Sequence, residues 1–210
     1  MKPVLYGASY SVYVRVARLA LIEKKIDHDL VEIDIFAEGG PPPDYLKLQP
    51  FARIPALQHG DVTIYETGAI TRYVEEAFPG PSLLPETPAA RARVNQVMSV
   101  LDHYLYRPLV WDIYVARDEA AKTGEAADEA AITYAIFKTR HCLKVLEEGA
   151  GDWLAGTQLT LADLYAAPMI AYGLKTEEGR ILLAERPRLT AWWERISARP
   201  SMAATKYPTD

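Results

Sequence analysis

The chain is divided by the stretch Pro79-Gly80-Pro81-Ser82-Leu83-Leu84-Pro85-Glu86-Thr87-Pro88, because the hydrophobic pattern differs on its two sides. This stretch holds four prolines in ten residues, a composition typical of linkers between domains. The chain has 210 residues, which is enough for two small domains. We therefore predict a first domain over residues 1–79, a linker over residues 80–88 and a second domain over residues 89–210.

The part before the linker mixes strand and helix patterns. Residues 4–7 form a short apolar run that ends at a glycine, and residues 28–35 alternate between apolar and acidic side chains, so both predict strands. Residues 12–25 lie between them with apolar side chains at helical spacing, so this helix would connect two parallel strands. Residues 54–65 predict a hairpin around a glycine-containing turn, and residues 69–78 predict a helix.

The part after the linker shows only helical patterns. Apolar side chains follow three-and-four spacing over residues 94–105 and 132–146. Further helices are predicted from Thr160 onward and around residues 189–196. Pro108 lies inside the first of these helices and should kink or break it. The predicted fold class is therefore an α/β domain followed by an all-α domain.

Composition and charge exclude several kinds of partner. The formal net charge is −5, whereas nucleic acid and anionic membranes need a basic surface, so we expect neither as a partner. No apolar run reaches the roughly 18–20 residues that span a bilayer, and residues 1–6 are too short in apolar residues for a signal peptide. Cys142 is the only cysteine, which excludes an intrachain disulfide and fits a cytoplasmic location. The histidines are scattered, so we predict no metal site.

One segment makes the fold prediction specific. It reads Gln49-Pro50-Phe51-Ala52-Arg53-Ile54-Pro55-Ala56-Leu57, and it is similar to the segment Asn-Pro-Phe-Gly-x-Val/Ile-Pro-x-Leu of the cytosolic glutathione transferases. Together with the order of the two domains, it resembles that family over essentially the whole chain. The resemblance implies a thioredoxin-like first domain of order βαβαββα and a cis bond between Ile54 and Pro55. It also implies that the N–H and C=O of Ile54 pair with the cysteinyl backbone of glutathione, as a strand added to an edge does.

A second segment, Tyr65-Glu66-Thr67-Gly68-Ala69-Ile70, resembles the family's Glu-Ser-x-Ala-Ile motif. A helix start offers unpaired N–H groups and attracts anions. The resemblance implies that Thr67 and this helix end hold the γ-glutamyl carboxylate of glutathione, while Glu66 opposes the γ-glutamyl ammonium. The alternative is that Thr67 or Glu66 only caps the helix, and the two roles are compatible.

A third segment, Thr160-Leu161-Ala162-Asp163-Leu164, resembles the family's Ser/Thr-x-x-Asp capping box. In such a box Thr160 accepts a hydrogen bond from the backbone of Asp163, and Asp163 returns one. We interpret it as a folding element and not as part of the catalytic machinery.

Glutathione's thiol must be ionised before it becomes a good nucleophile, so the loop after the first strand is expected to carry a hydroxyl donor. The chain resembles the serine-type members, in pattern the bacterial zeta-, phi- and theta-like ones, and their catalytic serine corresponds to Ser11, near the start of the first helix. Tyr6 lies where tyrosine-type members carry their catalytic residue, and Ser9 and Tyr10 are further alternatives. Ser11 as a simple helix cap also stays open. Cys142 lies on the apolar stripe of a helix and is expected to be a core residue.

The resemblance has one departure. Many members place a Lys or His before the proline turn to bind the glycyl carboxylate of glutathione, but residues 39–44 contain no basic side chain. Arg53 is the better candidate for this role and Lys47 the other. The second-substrate pocket is expected between the N-terminal loop and the first long helix, and the alternative is that its aromatic residues serve packing or an interface. Its candidate residues are Tyr10, Tyr104, Trp111 and Tyr114.

These features predict an enzyme, a glutathione S-transferase that joins glutathione, as co-substrate, to an apolar or aromatic electrophile. The resemblance implies a homodimer and a role in detoxification. One alternative is a glutathione-dependent isomerase of the maleylacetoacetate type, but that class carries Ser-Ser-Cys where this chain has Ser11-Val12-Tyr13. The other alternative is a non-catalytic protein of the same fold that binds ligands or partners.

Overall fold

The structure of the protein is a computed structural model, and it describes residues 1–207. The chain forms two compact units. The first contains residues 1–83 together with residues 199–207, and the second contains residues 84–198. This division differs from the predicted one at the C-terminal end, where the last residues cluster with the first unit and not with the helical one.

The first unit has a four-stranded sheet of order β2-β1-β3-β4. Its strands are β1 (Val4–Tyr6), β2 (Asp29–Val31), β3 (Ala56–His59) and β4 (Val62–Tyr65). β1 runs parallel to β2 and antiparallel to β3, and β3 and β4 form the predicted hairpin. The thioredoxin-like fold class is therefore confirmed. β2 is shorter than the predicted strand over residues 28–35, because its later residues turn away to contact the loop after β1.

Two helices complete this unit, α1 (Val12–Glu23) and α2 (Thr67–Ala77). The middle helix of the predicted βαβαββα order is only a 3₁₀ turn, Tyr45–Lys47. Prolines and glycines over residues 39–43 precede this turn, and Pro50 disfavours a helical conformation at Gln49, so the helix stays short. Leu5, Leu19, Leu57 and Ile70 are fully buried, so the unit has its own core between sheet and helices.

The second unit is helical. A continuous helical run consists of α3 (Pro88–Val100), a π-helical segment (Leu101–Val115) and α4 (Ala116–Thr123). The helix therefore does not end at Pro108. The wider π-type turns surround it, as is common where a proline removes a backbone donor. The remaining helices of this unit are α5 (Glu129–Gly149), α6 (Leu161–Gly173), α7 (Glu177–Ala184) and α8 (Pro187–Ser197).

The capping box at the start of α6 is formed, as its sequence predicts. The N–H of Thr160 donates to Oδ2 of Asp163 at 2.8 Å, and the Thr160 hydroxyl donates to the same oxygen at 3.1 Å. Oδ1 of Asp163 accepts from the N–H of Leu154 and from Nε1 of Trp192, both at 2.9 Å. Asp163 is fully buried, so the box also joins α6 to α8 and to the loop before it.

The chain returns to the first unit through α9 (Pro200–Ala204). Arg199 donates to both carboxylate oxygens of Glu23, at 2.7 and 2.5 Å, and the Ser201 hydroxyl donates to one of them. Burial alone would raise the pKa of Glu23, but these hydrogen bonds hold it below its ordinary value. Nε of the buried Arg15 donates to the Thr205 hydroxyl at 3.2 Å. These contacts fasten residues 199–205 along α1.

An ion pair between two buried side chains lies at the end of the first unit. Nζ of Lys24 lies 2.9 Å from Oε2 of Glu75, and both side chains are almost fully buried. The Ser82 hydroxyl and the N–H of Leu83 donate to the same carboxylate, at 2.7 and 3.1 Å. These contacts join α1 to α2 and to the start of the linker.

Within residues 1–207, no helix is both long and apolar enough to cross a membrane.

Candidate functional site

Ser11 is the N-cap of α1, with extended backbone angles (φ −74°, ψ 129°). Its Oγ accepts a hydrogen bond from the N–H of Val14 at 3.4 Å. Because the oxygen is an acceptor in this bond, the hydroxyl proton is left to donate elsewhere. The half-buried hydroxyl thus lies at the positive end of a helix, which favours a nearby anion.

The rival hydroxyls of the same loop donate to carboxylates of the first unit. Ser9 donates from both its N–H and its hydroxyl to Glu32, at 2.8 and 3.0 Å. The Tyr10 hydroxyl donates to Asp34 at 2.7 Å. Burial and then this hydrogen bond raise the pKa of Tyr10 well above its ordinary value, which makes its phenol a weaker acid.

Tyr6 is engaged within the sheet. Its hydroxyl donates to Oε1 of Gln58 on the adjacent strand at 3.1 Å, and its ring lies 6.3 Å from that of Tyr45. Of the candidate hydroxyls, Ser11 is therefore the one that the described hydrogen bonds leave with a proton to donate. This geometry favours Ser11 over the other three candidates.

The sheet register brings three loops to one end of the first unit. Ala56, the first residue of β3, pairs with Tyr6 at the end of β1 and with Tyr65 at the end of β4. The loop to Ser11 follows β1, the Ile54-Pro55 turn precedes β3, and residues 66–67 follow β4. The three segments singled out from the sequence in this unit therefore meet beside one residue.

Gly7 allows the first two of these loops to approach closely. Its φ is +152°, and a Cβ added there would lie 2.4 Å from Cγ2 of Val14 and 3.2 Å from Cβ of Ile54. A side chain at this position would collide with the first turn of α1 or push the Ile54 turn away. Gly7 was not among the predicted site residues. Its position directly after an apolar strand was the available signal.

The Ile54-Pro55 bond is cis, as predicted from the resemblance. The turn before it is held by side chains from within: Oε1 of Gln49 accepts from the N–H of Phe51 at 2.7 Å and of Arg53 at 3.2 Å. The Tyr45 hydroxyl donates to the Arg53 carbonyl at 2.6 Å. The N–H and C=O of Ile54 have no partner in the hydrogen bonds described for this turn, and their role in binding a ligand stays a prediction.

The start of α2 has an unusual backbone. Glu66 is its N-cap at φ 69° and ψ 121°, and its side chain makes no capping hydrogen bond. Such conformations cost a non-glycine residue of order 1–3 kcal/mol and are concentrated at binding sites. Thr67 is buried and is the first helical residue, so neither side chain acts as the helix cap that was the alternative. The first N–H groups of α2 are thus available to an anion.

The candidates for the glycyl carboxylate differ in their partners. Arg53 is exposed, directly before the Ile54-Pro55 turn. Lys47 is also exposed, but it pairs with Asp44 at 2.7 Å. This placement favours Arg53.

The candidate second-substrate residues lie in both units. Tyr10 stacks on Phe36 with ring centroids 6.1 Å apart. In the helical unit, Tyr104 is 65% exposed, and Trp111 lines a groove of about 510 Å³ between the π-helical segment and α5. Tyr114 instead packs on Tyr172 of α6, at 4.8 Å between centroids. The structure therefore places Trp111 and Tyr114 against different neighbouring helices.

Two expectations concern reactive and metal-binding groups. Cys142 is buried on α5, and burial raises the pKa of its thiol to about 12, which makes it inert as a nucleophile. Among residues 1–207, no group of three or more His, Cys, Asp or Glu side chains could hold a metal ion.

Ala52 offers a test of the turn's backbone. Its φ is 53°, a left-handed conformation that costs a non-glycine residue about 1–2 kcal/mol. Glycine would remove this cost but would gain freedom in the unfolded chain, worth about 0.4–1 kcal/mol. We expect Ala52→Gly to raise the free energy of unfolding by about 0.5–1 kcal/mol, measured by urea denaturation.

The control for this prediction is Ala121→Gly in α4, where the backbone is helical and the side chain exposed. There the same change should destabilise by about 1 kcal/mol. Destabilisation by both variants would contradict the strained backbone at Ala52.

Comparison with known proteins agrees with this geometry. Residues 5–82 match the family described as "Glutathione S-transferase, N-terminal domain", and residues 97–200 match "Glutathione S-transferase, C-terminal domain". The chain is 31% identical to glutathione S-transferase F13 of Arabidopsis thaliana over 94% of this chain and 91% of that protein.

Two solved structures are similar to this one. Glutathione transferase F7 from Populus trichocarpa has a TM-score of 0.85 and 33% identity, over 97% of each chain. A glutathione S-transferase-I bound with the ligand lactoylglutathione has a TM-score of 0.84 and 27% identity, over 98% of each chain. The chain therefore belongs to the glutathione S-transferase family of enzymes.

Proposed function

We propose that the chain catalyses the attack of glutathione thiolate on an apolar or aromatic electrophile. The observation that carries this proposal is the meeting of three loops at one end of the sheet, with the Ser11 hydroxyl at the start of α1 among them. The lactoylglutathione bound to a similar protein supports glutathione as the co-substrate.

Each part of glutathione has a partner of matching chemistry. The N–H and C=O of Ile54, fixed beside Pro55, pair with the cysteinyl backbone. The γ-glutamyl carboxylate binds at Thr67 and the free N–H groups of α2, and the ammonium faces the carboxylate of Glu66. Arg53, directly before the turn, meets the glycyl carboxylate, and its exposure makes this contact weak.

Ser11 activates the thiol in this proposal. A free thiol has a pKa of about 8.5, and each unit of depression requires about 1.36 kcal/mol of preferential thiolate stabilisation. A shift of about two units therefore needs about 2.7 kcal/mol. A hydroxyl that donates to the thiolate and the N-terminus of α1 together supply an amount of this size.

The test is the thiolate absorbance of bound glutathione as a function of pH. We expect a thiol pKa about two units below the free value in the unaltered protein and a return towards that value in Ser11→Ala. The same change should lower kcat/KM by about tenfold to a hundredfold. Ser9→Ala is the matched control, because the Ser9 hydroxyl already donates to Glu32 and its loss should leave the thiol pKa unchanged.

Other outcomes assign the function differently. A depressed pKa that survives Ser11→Ala would move activation to Tyr6, Ser9 or Tyr10. No binding at millimolar glutathione would contradict the enzyme and favour a carrier or regulatory protein.

We also propose a serine-type, cytoplasmic homodimer. The Arabidopsis and Populus relatives support the family, but they give no support to a bacterial zeta-like or theta-like assignment. We likewise propose functional domains over residues 1–79 and 89–210, joined by the linker over residues 80–88, with residues 199–207 of the second domain packed on the first unit.

A further inference from the structure

We infer that Tyr45 and Gln49 are positioning residues, which fix the Ile54 turn in its ligand-binding form before glutathione arrives. The inference rests on the proposed function of this turn. Neither side chain need touch glutathione for this role, because both act through the backbone of residues 51–53.

Gln49 holds the turn from inside. Its side chain is 1% exposed, and one oxygen accepts from two N–H groups, those of Phe51 at 2.7 Å and of Arg53 at 3.2 Å. The tight turn cannot pair these two N–H groups with backbone carbonyls. In the folded protein the Gln49 oxygen accepts from them in place of water. Without this oxygen, both N–H groups would lose their acceptor. The segment directly before Ile54 would then have to move for them to form new hydrogen bonds.

Tyr45 contacts the same segment from the hydrophobic core. Its ring is 3% exposed and packs with Ile33 and Ala56, with Ile54 against this cluster. Its hydroxyl donates to the Arg53 carbonyl at 2.6 Å. That carbonyl belongs to the peptide unit that carries the N–H of Ile54. The hydrogen bond from Tyr45 therefore sets the direction in which the N–H of Ile54 points.

The two side chains thus fix the two successive peptide planes that meet at the Cα of Arg53. Gln49 accepts from the N–H of Arg53, in the Ala52–Arg53 peptide unit, and Tyr45 donates to the C=O of Arg53, in the Arg53–Ile54 unit. A ligand that pairs with Ile54 meets groups that are already oriented, so binding does not include the entropic cost of ordering them. Loosening the turn should weaken glutathione binding without altering the thiol chemistry at Ser11.

The test compares Tyr45→Phe, Gln49→Met and Gln49→Glu in the full chain, with glutathione affinity measured by calorimetry. We expect Tyr45→Phe and Gln49→Met to raise the Kd and the KM for glutathione by about fivefold to thirtyfold. The kcat at saturating glutathione and the pKa of the bound thiol should stay unchanged. Gln49→Glu keeps an acceptor for both N–H groups and should restore most of the affinity.

Tyr73→Phe is the matched control, because the Tyr73 hydroxyl bonds to His59 at 2.9 Å in the same unit but outside the turn. A Kd within twofold of the unaltered value for Tyr45→Phe and Gln49→Met would overturn the inference, whatever their melting temperatures. An equal loss of affinity in Tyr73→Phe would overturn it too, as a general effect of destabilisation. If the unaltered protein binds no glutathione, the proposed function fails instead.

Discussion

Replacing Asp163 by alanine should lower the free energy of unfolding of the helical unit by about 3–5 kcal/mol. The substitution removes the acceptor of four hydrogen bonds, from Leu154, Trp192 and both donors of Thr160. All four lie in a buried site, where water cannot replace the lost acceptor. Burial raises the pKa of the Asp163 carboxyl, whereas the hydrogen bonds that it accepts lower it. These hydrogen bonds therefore offset part of the cost of removing the carboxylate from water.

Urea denaturation followed by tryptophan fluorescence measures this effect in the correct unit, because Trp111, Trp153, Trp192 and Trp193 all lie within residues 84–198. The control is Asp128→Ala, which removes the exposed cap of α5 with its bonds to the N–H groups of Ala130 and Ala131. That variant should lose about 1 kcal/mol. Equal losses would show that the buried network adds nothing to an ordinary helix cap.

The second large effect is expected at Glu75. Glu75→Leu removes the carboxylate that neutralises the buried Lys24 ammonium, which keeps its hydrogen bond to the Glu75 carbonyl at 3.1 Å. It also removes the acceptor for Ser82 and Leu83. Breaking a buried ion pair from one side typically costs about 3–5 kcal/mol. Hydrogen exchange should become faster in α1, α2 and residues 80–83, and the midpoint of urea unfolding of the first unit should fall.

Glu76→Leu is the control, because the neighbouring Glu76 is exposed and lies 3.7 Å from Arg72 in an ordinary surface pair. Its loss should change stability by about 0.5 kcal/mol or less. The double variant Lys24→Met with Glu75→Leu should recover part of the loss, since no buried charge then remains. A double variant less stable than Glu75→Leu alone would contradict this explanation.

The sequence predicted those parts of the site that depend on local patterns. The succession of strands and helices in the first unit follows from periodicity. Ser11 near a helix start and the cis Ile54-Pro55 bond follow from the resemblance of short motifs to the glutathione transferases. The sequence could not decide among Ser11, Ser9 and Tyr10, because that choice depends on which acceptors the other hydroxyls donate to. Glu32 and Asp34, which accept from Ser9 and Tyr10, lie more than twenty residues away and have no pattern that links them to the loop.

The same reason explains the remaining differences. Periodicity indicates that Lys24 ends a helix but not that Glu75 lies beside it, since the pair spans 51 residues. The return of residues 199–207 to the first unit depends on contacts such as Arg199 with Glu23, which spans 176 residues. Tyr45 and Gln49 lie only a few residues before the turn in the sequence. Their hydrogen bonds to its backbone are recognised only in the structure, where both side chains are buried.

The attachment of residues 199–205 to α1 has a consequence for biosynthesis. A chain emerges from the ribosome from its N-terminus, and domains made first generally fold first. Glu23 and Arg15 are made early, but their partners Arg199, Ser201 and Thr205 are made only after the whole helical unit. The unit that starts the polypeptide therefore acquires its last native contacts after the other unit has been translated, and a nascent chain stalled before residue 199 holds an incomplete first unit.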